Sequence, residues 1–162
     1  MNYWIFEGEK INSINQIPKN AVAFTYTIVT DNGREYIGVK KLFHANNRVI
    51  GKRELTTISD KRKLNKRKNG KNKDGSIKWI YFEKRVKESN WLLYTGSNKY
   101  LNNDIRNKKV IVTKYINTFI FDNSMILYQE TKELFANGVL EHGDKYYNDH
   151  ILGKFYKKNI KK

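Results

Sequence analysis

The chain has 162 residues, enough for one domain with a sizeable core, and it contains no cysteine, which excludes disulfides, thiolate zinc sites and cysteine nucleophiles. Its 32 Lys and Arg against 16 Asp and Glu give a formal net charge of +16, which favours a polyanionic partner because basic side chains neutralise phosphates and release counterions. No apolar run approaches the roughly 18 residues of a membrane span, and the first residues lack a signal-peptide pattern, so we expect a soluble, cytoplasmic protein.

The first strong element is a β-hairpin over residues 24–40. Two runs rich in β-branched and aromatic residues flank Asp31-Asn32-Gly33, a sequence typical of a hairpin turn. Before it, Trp4-Ile5-Phe6 predicts either an edge strand or packing on the core. The hairpin is the element around which the remaining segments can be arranged.

Two loop lengths compete for this turn, and the choice decides which side chains share a face. A two-residue loop at Asn32-Gly33 puts Tyr26 and Tyr36 on opposite faces. A three-residue loop with a left-handed Gly33 pairs Tyr26 with Gly38, and we favour it because Asp and Asn suit the turn and glycine adopts a positive φ at little cost. Gly38 would then leave space beside the Tyr26 phenol. The favoured register also puts three polar side chains on one face: Tyr26, Tyr36 and Lys40.

Residues 42–78 carry clusters of basic residues with few apolar ones between them. An A- and T-rich genome would raise the lysine content, but it would not explain the clustering. We expect a mobile basic insertion that contacts the DNA backbone, with a solvated loop as the alternative. The contacts are predicted for Lys61, Lys63, Lys66, Arg67 and Lys68. His44 follows the hairpin closely enough to reach the site of Tyr36 and Lys40, although an incidental surface histidine is an equal alternative.

An aromatic run, Trp79-Ile80-Tyr81-Phe82, favours packing within the core or the insertion over a base-stacking platform. Further along, Gly96-Ser97-Asn98 predicts the start of a helix with Leu101 and Ile105 on one face. The backbone N–H groups at this start would either receive a phosphate, with Ser97 and Asn98 beside it, or simply be capped.

The last two predicted elements are a strand over Val110–Phe121 and a helix over Asn123–Gly138. The strand would complete a three-stranded sheet with the hairpin. On the helix, Leu127, Glu130 and Leu134 are spaced by three and four, so the carboxylate lies beside the stripe that faces the sheet. Such a carboxylate needs either a basic partner or a metal ion. Glu133 is expected on the exposed flank.

Four short motifs resemble those of the GIY-YIG nuclease superfamily. Tyr36-Ile37-Gly38 matches the second name-giving tripeptide, and Phe24-Thr25-Tyr26 stands where the first is expected. A Ser-x-Trp-x-x-Tyr-x-Gly-Ser pattern over residues 89–97 resembles phage-encoded members, and Tyr146-Tyr147-Asn148 resembles the aromatic-Asn signature near the end of these domains. The resemblance implies an α+β fold: a small three-stranded antiparallel sheet flanked by helices. We expect one domain over residues 1–162, with the insertion at 42–78 and a basic tail at 154–162.

The resemblance also implies a chemistry. Glu130 would hold one Mg²⁺ or Mn²⁺ against the scissile phosphate. Tyr26 would orient or deprotonate the water, with Lys40 lowering its pKa, while Tyr36 would hydrogen-bond the site or the phosphate. Asn148 would hold a backbone turn or help to position the site, and Gly38 would open the space between the phenol and the DNA. The family also uses an arginine after the hairpin. None stands at the usual spacing here, which leaves three candidates: Arg62, the first choice, Arg67 and Arg106.

The sequence therefore predicts a metal-dependent DNA endonuclease that is phage-like, either homing or DNA-degrading. One alternative is a restriction-type enzyme with strict sequence recognition, which would require dimerisation to cut both strands. Another is a catalytically inactive DNA-binding module that keeps the sheet. The expected partner is double-stranded DNA, bound by a monomer or a homodimer.

Overall fold

The computed structural model of the chain describes residues 3–61 and 64–151. At its centre β3 (Ala23–Thr30) and β4 (Glu35–Lys41) form the predicted hairpin. Tyr26 pairs with Gly38 and Ile28 with Tyr36, while Gly33 has a φ of +83°. The three-residue loop is thus confirmed, and with it the shared face of Tyr26 and Tyr36.

The hairpin belongs to a sheet of five strands, and the prediction of three strands accounts only for the hairpin and the predicted strand beside it. Its order is β2-β1-β8-β3-β4, with β8 antiparallel to β3 and β1 parallel to β8. The two added strands come from the amino-terminal segment. Trp4 holds this segment against the core, since its side chain is fully buried and its ring centre lies 5.1 Å from that of Phe24 and 5.2 Å from that of Tyr26. The bounds of the three strands not yet given are β1 Trp4–Phe6, β2 Glu9–Ile11 and β8 Val112–Ile120.

In the described part of the chain, two helices accompany this sheet, close to their predicted positions. In chain order they are α2 (Lys99–Arg106) and α3 (Ile126–Ala136), and α3 follows a 3₁₀ turn at Asn123–Met125. Leu101 is buried on α2 and Ile105 packs against the core, as the spacing predicted. On α3 the buried residues are Ile126, Thr131 and Leu134, whereas Leu127 is exposed.

The chain forms two compact units, and the second spans Phe43–Glu88. It contains α1 (Lys52–Thr57) and an antiparallel sheet of order β5-β7-β6. Its strands are β5 Phe43–Val49, β6 Asn65–Lys71 and β7 Ile77–Glu88. The basic segment is therefore built into a sheet, and the unit continues beyond residue 78. The predicted tail, 154–162, lies outside the described residues.

Both faces of the five-stranded sheet are covered by apolar side chains. Trp4, Phe24, Tyr26, Ile28 and Trp91 belong to the main cluster on one face, and smaller clusters around Ile37 and Ile120 lie on the other. Across residues 3–61 and 64–151, every helix is too short or too polar to span a bilayer.

Candidate active site

The first unit contains a pocket of about 400 Å³ beside the edge strand β4. It combines hydroxyl, amide, carboxylate and imidazole groups from β4, α2, α3 and the segment after α3. The lining includes Tyr36, Ser97, Asn98, Glu130, Asn148 and His150. Five of these were predicted as site residues from the sequence, and the fold brings them together from positions far apart in the chain.

Tyr36 reaches the pocket from β4 with its ring fixed on both sides. Its Oη lies 2.9 Å from Oγ of Ser97. A Cβ built at Gly96 would lie only 2.7 Å from the Tyr36 ring, so the glycine is needed for the ring to pack there. Burial raises the pKa of Tyr36, while the Ser97 hydrogen bond opposes that rise. Tyr36 therefore presents a neutral phenol at the pocket wall.

Tyr26 is almost completely buried beneath this site. Its side chain is 1% exposed and packs against Trp4, Tyr36 and Tyr94. Burial first, and then its phenolic neighbours Tyr36 and Tyr94, raise the pKa of Tyr26 well above its usual value. The expectation that a neighbouring cation lowers this pKa is wrong for this conformation, because the phenol is surrounded by rings.

Lys40, the expected cation, is directed elsewhere. Its Nζ donates to Oδ1 of Asn90 at 2.8 Å and lies 3.9 Å from the ring centre of Tyr94. Burial lowers the pKa of Lys40. Lys40 therefore stabilises the segment around Asn90 and Tyr94. Although Lys40 and Tyr26 lie on the same face of the sheet, the ammonium group does not contact the Tyr26 phenol.

Gly38 lies directly under the Tyr26 hydroxyl. A Cβ at position 38 would lie 2.6 Å from Oη and 2.9 Å from Cζ of Tyr26. The space beside the phenol is thus filled by the phenol itself rather than left open towards DNA, and the glycine is required by this close approach.

Glu130 lies at the β4 edge and is half-buried. It accepts a hydrogen bond from the backbone N–H of Val39, which opposes the rise in pKa caused first by burial and then by Glu133. Among the described residues no Lys or Arg forms an ion pair with Glu130. A carboxylate in this position needs either a basic partner or a metal ion. The described part of the chain does not supply the basic partner.

Glu133, expected on an exposed flank, is instead held against the sheet. Thr25 Oγ1 donates to its Oε1, and Asn117 Nδ2 donates to its Oε2 at 2.6 Å. Thr25 lies on the face of β3 opposite to Tyr26, since neighbouring side chains alternate. The helix is therefore rotated relative to the orientation that the Leu127 spacing suggested.

Asn148 clamps the edge of β4. Its Oδ1 accepts from the backbone N–H of Ile37 at 2.9 Å, and its Nδ2 donates to the carbonyl of Ile37 at 2.8 Å. Two residues earlier on the strand, Glu35 makes the equivalent pair of hydrogen bonds with the backbone of Lys145 and Tyr147. Of the two roles predicted for Asn148, holding backbone is the one visible here, and its side chain also borders the pocket.

Asn98 is engaged as the cap of α2. Its Oδ1 accepts from the N–H groups of Tyr100 and Leu101 at 2.9 and 3.0 Å, and its Nδ2 donates to the Tyr147 carbonyl at 2.7 Å. These N–H groups are consequently occupied by the cap, whereas the Ser97 hydroxyl remains at the pocket.

The remaining predicted residues lie outside this pocket. His44 is exposed on β5 of the second unit, and Lys61 is exposed in the same unit. Lys66, Arg67 and Lys68 are exposed on β6, and Arg106 is exposed at the end of α2. Two predicted residues, Arg62 and Lys63, lie outside the described residues.

Five pocket or near-pocket residues were missed from the sequence. Tyr94 packs on Tyr26, and the other four line the pocket: Lys99, Tyr100, Asp149 and His150. Tyr94 lies within the Ser-x-Trp-x-x-Tyr-x-Gly-Ser pattern, which was a usable signal, whereas Lys99 and His150 stand in ordinary polar surroundings. Over the described part of the chain, no group of three or more His, Asp or Glu side chains is arranged to hold a metal ion.

Comparison with known families gives one match. The family described as "Putative endonuclease segE, GIY-YIG domain" matches residues 4–151, most of the chain. Searches of curated proteins and of solved structures found no match.

Proposed function

The chain belongs to the SegE-type GIY-YIG endonuclease family, and we propose that it hydrolyses phosphodiester bonds of double-stranded DNA with one divalent metal ion, Mg²⁺ or Mn²⁺, at Glu130. The observation that carries the proposal is a half-buried carboxylate without a basic partner among the described residues, facing a pocket shared with Tyr36 and Ser97. The phage-like setting and the choice between homing and DNA degradation follow from the sequence resemblance alone.

The pocket suits a hard divalent cation. Mg²⁺ is commonly bound through one or two carboxylates, several waters and substrate phosphates rather than by a full protein cage. Glu130 supplies one such carboxylate, and the volume of about 400 Å³ leaves room for a phosphate and water. A bound ion would act as a Lewis acid on the scissile phosphate and stabilise the departing oxygen.

Each hydroxyl has a distinct part in this proposal. Tyr36 and Ser97 share a hydrogen bond at the wall, so either can donate to a phosphate oxygen. Tyr26, being buried and neutral, supports the Tyr36 ring from below and acts as a positioning residue rather than as a base. The Val39 N–H directs the carboxylate of Glu130 towards the pocket.

A plasmid-cleavage assay tests the proposal. Wild type, Glu130→Gln and the matched charge control Glu141→Gln are incubated with supercoiled DNA and Mg²⁺ or Mn²⁺. Gln retains an acceptor for the Val39 N–H but is a poor metal ligand, so cutting should fall at least about 100-fold; Glu141 is exposed and its variant should cut like wild type. Cutting that survives Glu130→Gln removes this mechanism. Discrete fragments would indicate the restriction or homing type.

One observation favours a second candidate, a DNA-binding module that does not cut. In the described part of the chain no arginine lines the pocket, so the arginine that the family uses has no counterpart there. The cationic side chain at the pocket is Lys99. If Lys99 binds the phosphate in place of that arginine, the chain still cuts, and Lys99→Met should reduce cutting while Glu141→Gln does not. Salt-dependent DNA binding without cutting in either metal would establish the non-cutting module instead.

A further inference from the structure

The second unit, Phe43–Glu88, carries most of the excess positive charge. By sequence it contains 15 Lys and Arg and five Asp and Glu, a formal net charge of +10 in 46 residues, against +16 for the whole chain. Holding so many cations in one small unit is unfavourable through mutual repulsion, and a polyanion relieves it. The charge identifies the class of partner but not the surface that it uses.

The register of β6 and β7 selects a surface. Lys66 is directly opposite Tyr81, and Lys68 is directly opposite Trp79. Residues opposite each other in an antiparallel pair point to the same side of the sheet. We call this set of four residues, Lys66, Lys68, Trp79 and Tyr81, the lysine–tryptophan face.

Trp79 is the centre of this face. Its side chain is 37% exposed, and Nζ of Lys66 lies 4.8 Å from its ring centre. The sequence predicted that this aromatic run packs in the core or insertion, but the Trp79 ring remains partly in solvent. An exposed indole beside ammonium groups offers both stacking area and phosphate neutralisation.

The opposite side of the same sheet is different in kind. On β6 that side carries Asn65 and Arg67, which lie opposite Phe82 and Ile80, and nearer to β5 both Val49 and Val86 are exposed. On the lysine–tryptophan side the carboxylate of Glu83 is held by Arg48 at 2.7 Å, so it does not repel a polyanion strongly. Aromatic rings flanked by two lysines of β6 occur on one side only.

We propose that the lysine–tryptophan face binds the sugar-phosphate backbone of double-stranded DNA, with Lys66 and Lys68 on phosphates and the Trp79 ring packed against a sugar or base. This rests on the proposed function only in the choice of DNA as the polyanion. The surface lies wholly within the second unit, so its occupation can be measured without any cleavage.

The first test compares two double variants that lose the same charge from the same sheet. Lys66→Ala/Lys68→Ala removes the lysines of the face, and Lys78→Ala/Lys84→Ala removes two exposed cations of β7 from the opposite side. Binding of a labelled duplex is measured by anisotropy at several salt concentrations without divalent metal. The first variant should lower the slope of log K against log[salt] by about 2, since each phosphate contact contributes roughly 0.9; the second should keep the wild-type slope. Equal slopes for the two variants, reduced or not, overturn the assignment of the face.

The second test uses the tryptophans themselves. Trp4 and Trp91 are 0% and 1% exposed, so Trp79 dominates acrylamide quenching of the fluorescence. Saturating duplex should protect it, and Trp79→Phe should abolish both the quenchable fraction and the protection. Trp79→Ala should weaken duplex binding by up to about tenfold, because the packed surface of the indole ring is lost. Unchanged quenching in a duplex-bound protein overturns the proposal, as does protection by single-stranded DNA alone.

The two proposals fail separately. If Glu130→Gln loses cleavage but duplex DNA does not protect Trp79, the nuclease proposal is supported and the DNA-binding role of the lysine–tryptophan face is refuted. Protection of Trp79 by a chain that cuts nothing in Mg²⁺ or Mn²⁺ would leave the face and remove the nuclease.

Discussion

Replacing Gly38 by alanine tests the close packing of Tyr26 against the hairpin beneath the candidate site. The new Cβ would lie 2.6 Å from Oη and 2.9 Å from Cζ of Tyr26. Both distances are shorter than a Cβ tolerates, so either the strand or the ring must move. The Tyr26 ring has little freedom, because the ring centres of Trp4 and Tyr94 lie 5.2 and 6.0 Å from its own.

The magnitude follows from overpacking. Extra methyl groups in a packed core cost about 1–3 kcal/mol. Gly38 does not have a positive φ, so the backbone of alanine is not strained there. Alanine also has less conformational entropy than glycine in the unfolded chain, which stabilises the folded state by about 0.4–1 kcal/mol and offsets part of the cost. We therefore expect Gly38→Ala to lower the free energy of unfolding by about 1–2 kcal/mol, or the Tm by about 2–8 °C for a domain of this size.

Chemical denaturation followed by fluorescence of the buried tryptophans measures the loss in the first unit. Tyr26→Phe removes Oη, the nearest atom, but leaves Cζ, so the double variant should recover part of the loss, with a coupling of at least about 0.5 kcal/mol. Gly143→Ala is the control, since a Cβ there meets nothing within 4 Å. Additive effects of Gly38→Ala and Tyr26→Phe, or a Gly38→Ala variant as stable as Gly143→Ala, would refute the packing explanation.

Three further outcomes are expected. Burial lowers the pKa of Lys114 to about 8. Between that pH and the pKa of lysine in the unfolded chain, the unfolded state binds more protons, so the free energy of unfolding rises with pH. Denaturation measured from pH 7 to 10.5 should therefore show wild type gaining about 3 kcal/mol relative to Lys114→Met. Asn148→Ala leaves both backbone groups of Ile37 without their partner and should cost about 2–4 kcal/mol in the same assay. If Glu130 binds the metal as proposed, its raised pKa makes protons compete with the ion to a higher pH than at an ordinary glutamate. The Mn²⁺ affinity measured by calorimetry should then rise with pH beyond about pH 4.3 in wild type and not in Glu130→Gln.

The hairpin could be predicted because its determinants are local. Asp31, Asn32 and Gly33 fix the turn, and side-chain alternation then fixes which residues share a face. The same holds for α2, where Asn98 is a good cap and Leu101 follows at the spacing of a buried face. These features depend on residues within one or two turns of each other.

The errors all concern contacts between distant segments. Helical spacing predicted that Leu127 and Leu134 define the buried stripe, but the hydrogen bonds from Thr25 and Asn117 to Glu133 show a different rotation of α3. One residue on a helix corresponds to about 100°, so a small error in the assumed face exchanges a buried carboxylate with an exposed one. The burial of Tyr26 likewise depends on Trp4, which a local pattern cannot place.

The edge of β4 explains why the site residues meet although their spacing in sequence does not reveal them. Three alternate residues of this strand direct backbone groups outward: Glu35, Ile37 and Val39. They bind, in turn, the backbone around residue 146, the side-chain amide of Asn148 and the carboxylate of Glu130. Since two strand residues span roughly 7 Å, the strand itself sets the separation of Asn148 and Glu130 at their anchor points. The groups that border the pocket therefore also cover an otherwise unpaired sheet edge, and a substitution that frees the edge should disturb the site even without touching substrate.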